Sequence, residues 1–305
     1  DGNLKWSKMD DNYDRIIFPD RSYDFVAPRA RFVENMISYF PREEKAILTY
    51  MNLLDDVAKS SRSYFSQKAL SGILDTLSYP FMTRKFFKYS DRTTLDILSE
   101  ITSDKRLIGV LTGQWGDYGL PPGRSSFAMH AFVARHYLNG GNYPSGSSRK
   151  IAETISDLIE KNNGELAVNA NVSSIKLHKG KAIGVEMING EIIEANKIIS
   201  NAGVINTFRN LVPNKNTLKH SFKYINNVKQ TESYVCLHLG IDRPFKDLGI
   251  KNTNLWIYPE YDHDKSVDKF LDDSSLDFPV LYISFPSAKD DLWNKNNPNK
   301  MTMEA

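Results

Sequence analysis

The chain has a single cysteine, Cys236, among its 305 residues. One thiol excludes an internal disulfide framework and a cysteine-rich metal centre, and it fits a reducing compartment. Cys236 lies in the apolar run 234–237, which favours a small buried core residue over a reactive thiol. His130 and His136 are six positions apart, which is not the spacing of a ligand pair on one helix face. We therefore predict that the chain holds no metal.

Long apolar runs and an excess of one charge are also absent. The 39 basic and 37 acidic residues are mixed along the chain and leave a net charge of +2, so we expect no field strong enough to capture nucleic acid. No apolar run is long enough to cross a bilayer, and no signal peptide is recognised. These absences predict a cytoplasmic protein, with peripheral membrane contact left open. They do not predict the oligomeric state.

Three common catalytic or phosphate-binding signatures are missing as well. The chain contains no Gly-x-Gly-x-x-Gly turn, no P-loop and no nucleophile elbow. Each of these motifs places a backbone turn against a phosphate or a reacting carbonyl. Function must therefore be inferred from other segments.

The stretch 139–203 has the clearest pattern. A turn-rich loop, 139–146, precedes a helix whose apolar residues fall on one face, and Gly164 suits the helix end. Alternating apolar residues then predict strands near 166–175, the Asn189-Gly190 pair predicts a tight hairpin, and a last strand covers 197–200. This order is typical of a mixed α/β domain.

The flanking segments differ from it. Residues 4–26 predict a hairpin, and apolar periodicity predicts helices near 32–40, 41–57, 66–88, 91–101, 104–112 and 125–138. Strands near 234–239, 255–258 and 280–285 are expected to pair with the early hairpin in one sheet. We therefore divide the chain into a mainly helical region with an N-terminal hairpin, a mixed α/β region and a strand-rich region, which cover 1–138, 139–210 and 211–305.

Several segments resemble one flavoprotein superfamily. They are Tyr143-Pro144-Ser145-Gly146, Val172-Ser173-Ser174-Ile175, Ile199-Ser200-Asn201-Ala202-Gly203, the segment 113–122 and Phe285-Pro286-Ser287-Ala288-Lys289-Asp290. Together they are similar to the FAD-dependent phytoene desaturases, carotenoid isomerases and retinol saturases, and most of all to the retinol saturases. The order and spacing of the segments extend the resemblance over most of the chain.

The resemblance implies a fold class and a cofactor. The fold would be α/β and glutathione-reductase-like, with an α+β substrate domain and part of a Rossmann-like FAD-binding domain. FAD would be the cofactor, and NAD(P)H is a candidate electron donor. Because the phosphate-binding glycine turn of that family is missing, we expect the chain to be an internal fragment of a longer enzyme, inactive and poor at binding FAD on its own.

The resemblance also suggests cofactor-binding residues. The backbone of Val172 would meet the adenine, and Ala202 with Gly203 would let the backbone approach the cofactor closely. A loop containing Gly141, Tyr143, Pro144 and Gly146 would lie near the isoalloxazine ring or the mouth of a substrate tunnel. The family has a second glycine after this loop where the chain has Ser147, which weakens the case for a very close backbone approach there.

The catalytic residues are not identified by the sequence. Asp117 and Tyr118 on one side and Arg124 on the other flank a turn that could line a pocket or be solvated. His130 could donate a proton or be a core residue. The expected substrate is an apolar polyene such as a retinoid or carotenoid, whose C=C bonds would be saturated, desaturated or isomerised. Two alternatives stay open: a flavin amine oxidase, and a non-catalytic scaffold that lacks the nucleotide-binding motif.

Overall fold

The computed structural model describes residues 4–70, 72–213 and 233–305. It divides into two compact units. Unit 1 comprises Asp1–Thr154 and Glu232–Ala305, and unit 2 comprises Ile155–Thr231. The predicted three-part division stays a prediction.

Unit 1 contains most of the helices. They are α1 (Arg29–Tyr39), α2 (Glu44–Lys68), α3 (Ile73–Ser90), α4 (Thr94–Ile101), α5 (Lys105–Leu111) and α6 (Phe127–Tyr137). The six predicted helices are confirmed, although α2 begins at Glu44 and not at Pro41. Side-chain caps explain two of the starts, because Thr93 accepts from the Asp96 N–H in a capping box and Asp104 accepts from two N–H groups of α5.

A four-stranded sheet packs with these helices. The early hairpin forms β2 (Asn12–Ile17) and β3 (Ser22–Val26), and the late strands are β9 (Asn254–Ile257) and β10 (Leu281–Ile283). Their order is β10-β9-β2-β3, with β2 and β9 parallel and the other neighbours antiparallel. The prediction that late strands join the early hairpin is confirmed for two of the three strands, whereas the strand predicted at 234–239 does not join this sheet.

Two short strand pairs and three small helices complete unit 1. β1 (Trp6–Lys8) pairs with β4 (Asn142–Pro144), and β8 (His238–Ile241) pairs with β11 (Met301–Glu304). The helices, called α9, α10 and α11 here, are His263–Asp272, Pro286–Lys289 and Asp291–Asn296. Between the sheet and the helices lies one aromatic-rich core, which includes Tyr13, Phe25, Tyr50, Leu98, Trp115, Phe127 and Trp256.

Unit 2 is a small meander. Helix α7 (Arg149–Lys161) leads into it, and β5 (Val172–His178), β6 (Lys181–Met187) and β7 (Ile192–Glu194) form an antiparallel sheet in that order. A short helix, α8 (Val204–Asn206), and a π-helical turn (Thr207–Leu211) follow. The Asn189-Gly190 hairpin is confirmed, and Gly190 has the positive φ of 87° that such a turn requires.

Four sequence predictions need correction. Residues 166–170 and 197–200 are irregular and not strands, because no described residue pairs with either, and a lone extended segment has no ladder to join. The strand predicted at 234–239 begins at His238. Cys236 precedes it in irregular backbone and is exposed, so the prediction that it is a core residue is wrong. Residues 214–232 of the predicted strand-rich region lie outside the described residues.

Candidate functional site

A buried polar cluster lies within unit 1. The Asp14 carboxylate accepts hydrogen bonds from Gln114 Nε2 at 2.6 Å and from Asn254 Nδ2 at 2.8 Å. Lys289 Nζ donates to Asn254 Oδ1 at 2.5 Å and to Ser284 Oγ at 2.6 Å. We call these five residues the Asp14 cluster. It connects two segments far apart in the chain that both carry the family resemblance, the one around Gln114 and the one around Lys289.

Strand register explains why these side chains meet. Asp14 on β2 lies directly opposite Asn254 on β9, and Ser284 directly follows β10, the other neighbour of β9. Residues opposite each other on adjacent strands point to the same face of a sheet. Gln114 follows α5 and Lys289 ends α10, so two helical segments close the polar row formed by the strands.

The cluster holds two opposite charges away from water. Asp14 is 2% exposed and Lys289 is 7% exposed. Burial raises the pKa of Asp14, while hydrogen bonds from Asn254 and Gln114 and the charge of Lys289 lower it. Burial lowers the pKa of Lys289 to about 8, against the attraction of Asp14. Each buried charge therefore depends on the other for its compensation.

Asp117 lies beside this cluster, in a 3-10 helix that spans Trp115–Tyr118. Its side chain is exposed to solvent. Burial by the surrounding protein nevertheless raises its pKa to about 7, together with repulsion from Asp14 and against a hydrogen bond with Tyr137. Near neutral pH roughly half of the Asp117 side chains hold a proton, as a general acid requires.

Aromatic rings surround this carboxyl group. The Tyr137 ring stacks on Tyr13 with centroids 5.6 Å apart, and Trp256 and Tyr282 have centroids 4.4 Å apart. A Cβ atom on Gly116 would come within 2.7 Å of the Trp256 ring, so glycine lets the backbone next to Asp117 touch that ring. The surroundings of Asp117 are thus rich in aromatic rings, whose flat faces suit a planar conjugated ligand.

His130 and Tyr118 take part in a different contact. His130 is 2% exposed, and its Nε2 and Nδ1 atoms lie 2.9 Å from the Tyr50 hydroxyl and 3.1 Å from the Tyr118 hydroxyl. Burial lowers the pKa of His130 to about 3, so the ring is neutral, with one donor and one acceptor nitrogen. The structure therefore favours the interpretation of His130 as a satisfied core residue.

The loop that contains Gly141, Tyr143, Pro144 and Gly146 is fixed on two sides. Tyr143 and Pro144 belong to β4, which pairs with β1. The N–H group of Gly146 donates to Asp290 Oδ1 at 3.0 Å. This bond joins two segments that carry the family resemblance, and with the Asp14 cluster it connects three such segments within unit 1.

Two successive residues of this loop have left-handed backbone angles. Ser147 has a φ of 77° and Gly146 a φ of 89°. Both values lie in the left-handed region, which glycine adopts without the Cβ clash that other residues meet. Ser147 therefore holds a left-handed backbone conformation at a steric cost.

Tyr143 lines an open groove in unit 1 with a volume of about 350 Å³. Other lining residues come from the start of α7, from β8 and β11 and from α10, and they include Ser148, His238, Pro286, Asp290 and Glu304. Burial raises the pKa of the Tyr143 phenol, helped by the charges of Glu304 and Asp290. The groove is therefore polar on one side.

A larger groove, of about 650 Å³, lies in unit 2. Residues of β5 and β6 line it together with the segment 198–204 and the helical turn that follows, and Gly203 is among them. Gly203 has a φ of 84°, and a Cβ atom there would meet no atom within 4 Å. Val172 begins β5, but neither it nor Ala202 is among the described residues that line this groove.

Within 4–70, 72–213 and 233–305, no group of three or more His, Cys, Asp or Glu side chains could hold a metal ion. No helix in the same ranges is long and apolar enough to cross a membrane.

Comparison with known proteins identifies relatives. No model of a protein family matches the chain. It is 30% identical to an all-trans-retinol 13,14-reductase of Danio rerio. The alignment extends over 319 residues and includes 99% of this chain and 53% of the relative. The Homo sapiens protein of the same name is 27% identical, and the alignment includes 99% of this chain and 52% of that protein. Prolycopene isomerase 2 of an Oncidium hybrid cultivar is 24% identical, and the alignment includes 72% of this chain and 38% of that protein.

Solved structures share the fold. An oxidoreductase from Methanosarcina mazei has a TM-score of 0.60 at 14% identity, over 99% of this chain and 60% of that one. A putrescine oxidase bound to putrescine has a TM-score of 0.55 at 11% identity, over 99% of this chain and 59% of that one. The predicted α/β flavoprotein fold is confirmed. The chain spans about half the length of the curated relatives it matches.

Proposed function

Because the chain is homologous to the superfamily of retinol saturases and carotenoid-modifying enzymes, we propose that the complete gene product is an FAD-dependent oxidoreductase. It saturates one C=C bond of an apolar polyene, a retinoid or a carotenoid. The observation that carries the proposal is the match of 99% of the chain to proteins named all-trans-retinol 13,14-reductase. The aromatic surroundings of Asp117 are consistent with a planar conjugated substrate.

The residues of unit 2 fit part of a dinucleotide cofactor. The groove beside Gly203 has a volume within the range of small-molecule sites. Its lining combines apolar side chains with Ser200, Asn201 and Thr207, which suits an adenosine with its flat ring and its hydroxyl groups. We assign the adenosine end of FAD to this groove, with Gly203 where the backbone must approach the ligand and with Val172 and Ala202 as further candidates for backbone contacts.

Asp117 is the proposed proton donor. FAD, when bound and reduced, would supply the hydride that one carbon of the double bond takes up. Asp117 donates its carboxyl proton to the neighbouring carbon, so one C=C bond is replaced by two new C–H bonds. Solvent reaches the Asp117 side chain and returns a proton to the carboxylate. Tyr137 orients the carboxyl group through their hydrogen bond.

The proposal is tested on the complete gene product. Its flavin is reduced by light under anaerobic conditions and mixed with all-trans-retinol or a carotenoid, and the visible absorbance of both partners is followed. We expect the flavin to be reoxidised while the polyene loses its long-wavelength absorbance. NADH and NADPH are then compared as reductants of the oxidised flavin. If putrescine reduces the oxidised flavin and no polyene reoxidises the reduced flavin, the amine oxidase alternative replaces the proposal.

The role of Asp117 predicts both a rate and a pH effect. Replacing Asp117→Asn is expected to slow polyene reduction by about 10²- to 10⁴-fold, the usual contribution of a general acid. The folded pKa is about 7 and the unfolded value is 3.8, so between these pH values the folded state holds a proton that the unfolded state releases. Stability therefore falls as pH rises from about 4 to about 7.

Asp117→Asn removes this dependence of stability on pH. The variant should gain stability relative to wild type across that window and show no relative change above it. The measurement is urea denaturation at a series of pH values. Parallel curves for the two proteins would show that Asp117 titrates normally and would remove the basis for its role.

A further inference from the structure

Helix α3 exposes large apolar side chains on one side. Phe81 is 85% exposed and Leu77 is 66% exposed, and Phe65 near the end of α2 is 58% exposed. Single exposed apolar residues are ordinary in soluble proteins. Here, however, Leu77 and Phe81 lie one helical turn apart on the same helix face.

Basic side chains continue that face. Counted from Leu77, the residues Phe81, Arg84, Lys85 and Lys88 follow at four, seven, eight and eleven positions, which is one face of an α-helix. All five side chains are exposed. Neither Arg84 nor Lys85 forms an ion pair with a carboxylate in the part of the chain that the structure describes. We call these five residues, with Phe65, the α3 surface.

The opposite face of α3 is packed, which fixes the orientation of the α3 surface. Thr83, Phe86 and Tyr89 are buried. The Phe86 ring stacks on Tyr64 of α2 with centroids 4.5 Å apart and on Phe132 of α6 at 6.2 Å. Because α3 is held by α2 and α6, its exposed face cannot turn inward.

The charge around α3 is strongly one-sided. Residues 59–88 contain six basic residues and one acidic residue, a net charge of +5, whereas the whole chain has +2. The segment 262–277 differs: it contains six aspartates and two lysines, a net charge of −4, although Leu271 there is 59% exposed. Exposed apolar side chains therefore occur in both segments, but only one of the two is basic.

We propose that the α3 surface binds an anionic lipid bilayer, with Leu77 and Phe81 inserted among the acyl chains and the basic residues at the lipid phosphates. An amphipathic helix with apolar residues beside lysine and arginine lies in the plane of the bilayer interface and gains affinity from both. The exposed apolar side chains of Leu77 and Phe81 favour a lipid bilayer over a partner that is bound through charge alone. The inference does not depend on the proposed reaction.

Vesicle sedimentation of the complete gene product tests the inference. Phosphatidylcholine vesicles with and without about one third phosphatidylserine are compared at low and high salt, since surface charge effects are screened by salt. We expect binding only to the anionic vesicles and weaker binding at high salt. Arg84→Glu with Lys85→Glu, and separately Leu77→Ser with Phe81→Ser, should each weaken binding by at least about tenfold.

A matched control separates this surface from general stickiness. Leu271→Ser with Leu276→Ser removes two apolar side chains that are 59% and 48% exposed on the acidic segment, and it should leave vesicle binding unchanged. All six substituted residues are exposed, so unaltered circular dichroism and melting temperature are expected. Unchanged vesicle binding of both α3 variants overturns the inference. The inference is also overturned if the α3 variants still bind vesicles but lose a self-association that light scattering detects without lipid. The α3 surface would then bind a second copy of the protein.

Discussion

The two compact units differ in what they do with apolar side chains. Unit 1 closes its sheet and helices around one continuous core. In unit 2 the described apolar residues that are buried are Ile175, Met187 and Val212. Many others there are exposed, among them Leu158 on α7 at 54%, Val168 at 78% and Ile199 at 96%.

The difference shows what secondary structure requires besides a suitable sequence. In unit 1 each of the helices α1 to α6 buries side chains in the common core, so apolar periodicity and structure agree there, although Phe81 on α3 stays exposed. In unit 2 the apolar segments 166–170 and 197–200 have strand-like sequences but no pairing partner among the described residues, and they stay irregular. The β5–β6–β7 sheet forms because its strands pair locally through short turns.

The largest expected effect concerns the polar part of the unit 1 core. Lys289→Met leaves the buried Asp14 carboxylate without its compensating charge, and we expect it to lower the free energy of unfolding by about 3–5 kcal/mol. Urea denaturation followed by tryptophan fluorescence measures this, because all four tryptophans, residues 6, 115, 256 and 293, lie in unit 1.

Lys295→Met is the matched control. Lys295 is exposed on α11, so its replacement should change stability by less than about 0.5 kcal/mol. Adding Asp14→Asn to Lys289→Met should recover part of the loss, since the unpaired charge is then gone. Equal costs for Lys289→Met and Lys295→Met would contradict the role of Lys289 in compensating the buried charge of Asp14.

A pair of leucine variants tests the contrast between the units directly. Leu54 on α2 is 1% exposed and Leu158 on α7 is 54% exposed. Leu54→Ala should cost about 2–5 kcal/mol through lost burial and a cavity. Leu158→Ala should cost less than about 0.5 kcal/mol. Both are measured by urea denaturation with circular dichroism, and similar costs would mean that the α7 face is packed in the folded protein.

The smallest expected effect lies in the turn before α7. Ser147→Gly removes a left-handed conformation that disfavours residues with a Cβ atom, and we expect a gain of about 0.5–1 kcal/mol after the entropy of glycine is subtracted. Gly146→Ala, which introduces the same strain at the neighbouring residue, should instead destabilise by about 1 kcal/mol. Thermal unfolding compares the two, and a destabilised Ser147→Gly variant would show that the Ser147 backbone is not strained.

Local pattern was enough to predict much of the fold. The helices of unit 1 follow from apolar periodicity, and the Asn189-Gly190 hairpin follows from turn chemistry. The hairpin between β5 and β6 was missed because its turn is Lys179-Gly180, and Lys179 adopts a positive φ of 49° that its residue type does not suggest. Cys236 was misjudged because an apolar run alone does not show whether the segment meets a core.

The candidate site depends on contacts that no local pattern contains. Asp14 and Asn254 are 240 positions apart and lie in no motif, so the sequence predictions miss both. Lys289 lies in a segment that carries the family resemblance, but its role appears only when the strands bring Asn254 and Ser284 to it. The hydrogen bond between His130 and Tyr50, which lie 80 positions apart in the chain, likewise marks His130 as a satisfied core residue. The assignments of Val172, Ala202 and Gly203 to the cofactor stay predictions.

The most direct test of the central claim is the mass of the product. The complete gene product, reduced anaerobically at its flavin, is incubated with all-trans-retinol and the extracted retinoid is analysed by mass spectrometry. The account predicts a retinoid two hydrogens heavier than the substrate, formed in one equivalent per reduced flavin in a single turnover. An unchanged mass, or a product two hydrogens lighter formed from the oxidised flavin, would contradict it.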